Sequence, residues 1–237
     1  MKRFYKLVST APQGGGFVIH LDDKPVRLPS GGGLVAPNAA LADLVAQEWA
    51  AQGTEIDPET MPLTQILTTA SNQDAQTRAA VREAVLAYLD TDLLCYRAAT
   101  PEEIARRQED IWGRWCAWFA QESGVALAVT TGLAALKQPQ AAHDFALARV
   151  QDMDPWHFNA LQMTTGLSGS LVMGLAFCAG AASPDDVYKA ALVEEHYRAE
   201  IYNEALHGPD PHQEKTRSAM LRDLRALRQF LDTLSGE

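Results

Sequence analysis

The chain has 237 residues, 47% of them hydrophobic and 21% charged, with 30 acidic against 20 basic residues and a formal net charge of −10. That balance argues against nucleic acid or an anionic membrane as partner, because both are held by clustered Lys and Arg, and it leaves a basic protein surface as the electrostatic complement. Cys95, Cys116 and Cys178 are widely spaced, odd in number and set among apolar residues, which speaks against a disulfide framework or a zinc cluster and for reduced, buried thiols.

The N-terminal MKRFYKLV carries charge but no long apolar core or small-residue cleavage site, and it is not an Arg- and Ser-rich transit peptide, so the chain reads as cytoplasmic. Residues 3–8, 16–21 and 24–28 are short runs of β-formers divided by the turn signals Pro12 to Gly16 and Asp22-Asp23, the pattern of a small antiparallel sheet. The glycine runs 14–16 and 31–33 lack the Lys-Ser/Thr pair of a phosphate loop and read as turns. From Pro37 the period changes to that of a helix. Leu41, Leu44, Val45 and Trp49 share one face, Gly53 closes the segment, and the helix is expected to pack on the sheet. A Pro-punctuated connection over 56–64 leads to helical patterns over 63–72 and 76–89. The expected organisation is α+β: a small antiparallel sheet with a helix in residues 1–75, then a larger all-helical domain in 76–237.

Asp90 and Asp92 lie in YLDTDLLCYR, residues 88–97, with no His or further carboxylate at ligand spacing. The segment reads as a helix end at which Thr91 and Asp92 satisfy backbone donors. Thr100-Pro101-Glu102-Glu103 has the pattern of a capping box, and Ile104, Ile111, Trp115, Trp118 and Phe119 continue an apolar face to Gly124. Trp112, Trp115 and Trp118 recur every three residues, a core stripe with one edge left as an interaction candidate. Residues 132–140 form a connection. Residues 141–153 form a helix stopped by Asp154-Pro155, and His143 and His157 stand isolated.

Residues 158–182 are uncharged and long enough for about six helical turns, with Gly166, Ser170 and Gly174 spaced by four along one face. Gln162, Thr164, Thr165, Ser168 and Ser170 dilute the hydrophobicity, and acidic flanks replace the basic anchors of a membrane span. The expectation is one buried central helix, 158–182, without membrane insertion. Ser183-Pro184-Asp185-Asp186 starts another helix. Projected as a single helix, its inner face comprises Val187, Ala190, Ala191, Ile201 and Ala205, with Glu194 and Arg198 inside that face as an i, i+4 pair. Glu195 and Tyr202 fall at the boundary, and His196, Glu200 and Glu204 outside. The last segment, 210–234, reads as a closing helix with Leu224, Leu227, Leu231 and Leu234 on one side. No Glu-x-x-His repeat, G-x-S-x-G elbow or H-E-x-x-H is present.

Phe4-Tyr5-Lys6, Val26-Arg27-Leu28-Pro29, Glu48-Trp49, Met61-Pro62-Leu63-Thr64, the block Thr91 to Arg97 and Glu194-Glu195 occur in an order and spacing that resembles the assembly chaperones of the ATP synthase alpha subunit. That family occurs in mitochondria and alpha-proteobacteria; the likeness runs along nearly the whole chain, and the Thr91 to Arg97 block is its most specific part. The resemblance implies a small α+β domain before a helical one, and a non-enzymatic monomer without cofactor, metal or catalytic residue. It implies a client as well: the unassembled alpha subunit, held with its assembly surface masked until the beta subunit displaces the chaperone. Relatives in eukaryotes would work in the mitochondrial matrix. On the penultimate helix, where the family pattern continues from Glu-Glu to Gln and Trp-Gly, this chain has Arg198, Tyr202 and Asn203. The client-binding residues expected are Glu194, Glu195, Arg198, Glu200 and Tyr202, an acidic face with a neighbouring aromatic. The alternative is an enzyme with Glu194, Glu195 or Asp92 as an acid–base or metal site, which would require carboxylates converging on a pocket.

Overall fold

The computed structural model describes residues 1–202, 208 and 211–236, and it divides into two compact units, Met1–Thr77 with Arg225–Glu237, and Arg78–Leu224. The expected helical domain included 225–237. Those residues instead belong with the first unit, where the Asn38 side-chain amide donates to the Thr233 carbonyl (2.8 Å).

The first unit is built on strand β2, Gly16–Leu21, which pairs antiparallel with β1 (Val8–Gln13), β3 (Lys24–Pro25) and β4 (Val35–Ala36). Gln13 pairs with Gly16 across a two-residue turn whose Gly14 and Gly15 both have positive φ (61° and 87°), a conformation costly for any residue with a Cβ. A Cβ on Gly16 would lie 2.6 Å from a Val35 methyl, so β4 approaches there as closely as it does only because the position is glycine. Helix α1, Ala39–Ala50, is capped by Asn38, whose Oδ1 accepts from Leu41 N, and buries Leu41, Ala42 and Val45 in the unit's core with Val18 and Ile19 of β2. Beside it Tyr5, Leu21, Ile56 and Met61 form a cluster with Trp49, and the Tyr5 hydroxyl donates to the Trp49 carbonyl (2.7 Å).

Helix α2, Pro62–Ser71, begins against the side chain of Glu48. One Glu48 oxygen accepts from Leu63 N (2.8 Å), the other from Thr64 N (2.8 Å) and the Thr64 hydroxyl (2.7 Å). Glu48-Trp49 and Met61 to Thr64, separate pieces in the sequence, are thus two halves of one helix cap. Burial pushes the Glu48 carboxyl above its usual range, opposed by those three donors.

The second unit contains most of α3 (Ala75–Ala87), two short 3-10 turns (Tyr88–Thr91 and Leu93–Cys95) and α4 (Glu102–Ser123). There follow α5 (Gln140–Gln151), α6 (Pro155–Ser168), α7 (Leu171–Cys178), α8 (Pro184–Ala191), α9 (Val193–Ile201) and the first half of α10 (Pro211–Ser235). The capping box expected at Thr100 does not form: α4 starts after Pro101 with no side-chain cap. The helix start read at Ser183 is itself a capping box, with Asp186 N donating to Ser183 Oγ and Ser183 N to Asp186 Oδ2.

The central helix expected over 158–182 is two helices packed as a hairpin. Gly169 ends α6 in the left-handed region (φ 70°), its N–H bonded to the Thr165 carbonyl, and Ser170 caps α7 by accepting from Met173 N. Leu171 through Phe177 are all buried, so α7 is the core of the unit. Of the small-residue strip, Gly166 is exposed with nothing within 4 Å of a would-be Cβ. Gly174 is the working member. A Cβ there would collide with Thr165 Oγ1 and lie 3.0 Å from a Leu161 methyl, so it sets how closely α6 and α7 approach. No helix among the described residues is long and apolar enough to cross a membrane.

Candidate functional site

Two features of the second unit carry its polar chemistry: the block Thr91 to Arg97 and helix α9. Asp92 is fully buried, and its carboxylate accepts from Leu94 N (3.1 Å) and, across the fold, from Val172 N (3.0 Å) in the first turn of α7. Loss of water pushes its carboxyl up to about 6, against hydrogen bonds from Ser170, Val172, Leu94 and Leu171 that favour the ionised form. The reading of Asp92 as an acceptor for backbone donors holds. Asp90 accepts from Gln138 N (2.8 Å) and sits 3.1 Å from His143 Nε2, so His143 is not isolated; a contact across that much sequence leaves no local signal.

Arg97 closes the block. Its Nε donates to the Leu94 carbonyl (2.6 Å), its Nη1 reaches Glu109 at 3.0 Å, and the guanidinium lies over the Trp112 ring, 5.4 Å from the centroid. The next residue, Ala98, donates its N–H to Oε1 of the buried Gln108 (2.6 Å), and Gln108 Nε2 donates to Glu194 Oε1 (2.8 Å). The block therefore orients one carboxylate of α9.

Helix α9 does not continue α8. Leu192 breaks the pair (φ −110°, ψ 12°), and the Ala190 carbonyl, partner of the Glu194 N–H in an unbroken helix, takes the indole N–H of Trp112 (2.8 Å). The restart rotates the face. Val193 and Tyr197 turn inward, whereas Arg198 is exposed, Glu194 is half-buried and Ile201 is 57% exposed; the projected inner position of Glu194, Arg198 and Ile201 is thereby corrected. Glu194 and Arg198 still meet at 3.6 Å, but at the surface. Glu195 accepts from Arg217 Nε (2.7 Å), a guanidinium that is itself largely covered. Glu200 takes both Nη1 (2.9 Å) and Nη2 (2.6 Å) of Arg107, which also pairs with Glu103 and lies 5.3 Å from the Tyr197 ring centroid. Those two carboxylates hold the Arg107 guanidinium well above its usual range and Arg107 holds Glu200 below its own.

The five expected residues are thus gathered on α9 and its end, with Tyr202 at the C-cap 74% exposed beside Ile201. Asn203, Glu204 and Ala205 lie outside the described residues. Missed from sequence were Gln108, Arg107, Arg217 and Tyr197, which hold the face in place. Gln108 did leave a signal, a polar residue among the inward positions Ile104, Trp112, Trp115 and Phe119. A cavity of about 320 Å³ in this unit is lined by others, among them Trp118, Phe145, Arg149 and His157, and by none of Asp92, Glu194 and Glu195. Among the described residues, no group of three or more His, Cys, Asp and Glu could hold a metal ion.

Helix α9 thus holds carboxylates at its surface and leaves Ile201 and Tyr202 in solvent, on a fold that solved structures share. Residues 2–120 match the family model described as ATP12 chaperone protein. The curated mitochondrial protein atp12 of Schizosaccharomyces pombe is 24% identical over 209 residues, covering 83% of this chain and 72% of that protein. The crystal structure of Atp12 from Paracoccus denitrificans is 32% identical with a TM-score of 0.85 over 97% of each chain. That of the Atu1473 protein from Agrobacterium tumefaciens is 35% identical with a TM-score of 0.89, covering 98% of this chain and 86% of that one. The chain belongs to the ATP12 chaperone family, which serves ATP synthase assembly and is a family of assembly chaperones, not of enzymes. The acid–base and metal readings of Glu194, Glu195 and Asp92 are set aside on that ground.

Proposed function

We propose that this chain binds the unassembled alpha subunit of the ATP synthase catalytic head, covers the surface through which that subunit joins its neighbours, and leaves when the beta subunit takes its place. It acts as a monomer in the bacterial cytoplasm, its mitochondrial relatives in the matrix, and the helical unit, Arg78–Leu224, carries the client site. An orphan subunit exposes apolar assembly surface and aggregates unless that surface is masked.

The observation that carries this reading is the face of α9. Glu194, Glu195 and Glu200 present half-buried to exposed carboxylates, and Arg198, Ile201 and Tyr202 border them. A basic and apolar patch on the client fits that face. Solvent-exposed ion pairs contribute at most about 1 kcal/mol each, so such a face sets specificity and encounter rate more than raw affinity, which suits a partner that must be released. The test is co-expression of the tagged chain with the alpha and beta subunits of its own source, then pull-down and mass analysis. Recovery of alpha without beta, lost when beta is in excess, is the expected result; a folded chain that retains no alpha overturns the proposal.

A further inference from the structure

We infer that the segment 129–136, with Leu133 at its tip, is a second client-docking element that inserts into an uncharged aliphatic cleft of the alpha subunit. The inference rests on the proposed function and extends it to a surface away from α9. Between the end of α4 at Gly124 and the start of α5 at Gln140 the chain forms neither helix nor strand, apart from the single bridge Tyr96–Thr130. Irregular segments longer than about 12–15 residues are uncommon in compact domains and are usually functional or disordered.

This one is pinned at both ends. The buried Gln138 side chain clasps Ala128, accepting from its N–H (2.8 Å) and donating to its carbonyl (3.0 Å). Leu136 N donates to the Tyr96 hydroxyl (2.9 Å), while Thr130 N donates to the Cys95 carbonyl (2.9 Å) and Arg97 N to the Thr130 carbonyl (2.8 Å). What the frame holds out is apolar: Leu133 is 104% exposed and Val129 47%, and no charged residue occurs from 125 to 136. An aliphatic tip ordered in this way has its complement in a cleft without charge. A net charge of −10 works against a second copy of the chain as that complement. Continuity points to the client of α9, because the segment that holds Thr130 is the one whose Ala98 N–H fixes Gln108, and through it Glu194.

The experiment measures binding of the purified full chain to the purified alpha subunit by biolayer interferometry, for wild type, L133D, L133M and E195K. L133D is expected to weaken binding at least tenfold, about 1.4 kcal/mol, with L133M close to wild type and both melting as wild type does by circular dichroism. If L133D binds like wild type while E195K does not, the loop is not a docking element and the proposed function stands. Should the wild-type chain itself not bind alpha, the proposed function fails and takes this inference with it. A wild-type dimer that L133D turns into a monomer in light scattering would show that the tip joins copies of the chain, and would also overturn it.

Discussion

Asp92→Ala tests the frame on which both surfaces depend. The side chain is inaccessible to water, so its removal strands the N–H groups of Leu94 and Val172 with no solvent to replace it. A buried donor without a partner costs about 1–3 kcal/mol, and a charged acceptor makes the loss larger, so two stranded donors put the variant about 3–5 kcal/mol below wild type. Asp92→Asn keeps the shape and one acceptor oxygen but turns an amide N–H₂ toward a donor, and should lose about 1–3 kcal/mol. Wild type and either variant also differ in their dependence on pH. The folded Asp92 carboxyl at about 6 stands above its ordinary 3.8, so the folded state takes up the proton first. This group's stabilising contribution is therefore fully present below about pH 4 and lost as pH rises through 6, a change of roughly 2–3 kcal/mol. Asp22, Asp154, Asp186 and Glu200, all held below their usual range, act in the opposite sense but are common to wild type and variant, and cancel in the difference. Urea unfolding followed by circular dichroism and tryptophan fluorescence, at pH 4.5 and 7 (chosen to fall on either side of about 6), should show the Asp92→Asn deficit larger at the lower pH. An Asp92→Ala loss under about 1 kcal/mol, or an Asn deficit independent of pH, would refute the argument.

The other perturbations are smaller or more local. Gly174→Ala should cost about 1–3 kcal/mol by forcing α6 and α7 apart against Thr165 and Leu161, whereas Gly166→Ala, with open space around it, should gain about 0.5–1 kcal/mol; urea midpoints that move together would contradict the packing described. Glu48→Ala strands Leu63 N and Thr64 N and should lower the free energy of unfolding by about 2–4 kcal/mol, with Glu48→Gln between it and wild type. Glu195→Lys should weaken alpha-subunit binding tenfold or more and also lower the melting temperature by a few degrees, because it faces the largely covered Arg217 with a second cation. Glu195→Gln separates the two effects, and undiminished binding by both variants would count against α9 as the client face.

Local patterns in the chain were readable to the extent that local forces decide them. The glycine turn at 14–15 and, in the apolar stripe of α4, Ile104, Trp115 and Phe119 follow from residues within a few positions of one another, and both form. The two helix breaks do not. Residues 158–182 have the composition of one helix, and Gly169-Ser170 becomes a break through Asp92, eighty residues earlier in the chain, whose carboxylate occupies the start of α7. Likewise 184–201 projects as one helix until Trp112 takes the Ala190 carbonyl, and that one hydrogen bond rotates Glu194, Arg198 and Ile201 away from the positions a continuous 100° progression assigns them. The candidate face was therefore legible as a cluster of residue types but not as a surface.

The same distinction explains what the family resemblance can and cannot carry. Three of its pieces join elements through charged side chains: Glu48 joins α1 to the first turn of α2, the buried Asp92 joins the 3-10 turns to the first turn of α7, and Arg97 closes the block against Glu109 and Trp112. Each is wholly or partly removed from water and met by fixed partners, so each tolerates little change in the groups it meets. The outer part of α9 is under less constraint. Glu195 meets the largely covered Arg217, but Arg198 and Tyr202 stand in solvent, where substitution costs the fold little. On the proposed function, such a chaperone holds its frame while the contacts with its client change, in keeping with a resemblance that is strong at Thr91 to Arg97 and departs at Arg198 and Tyr202.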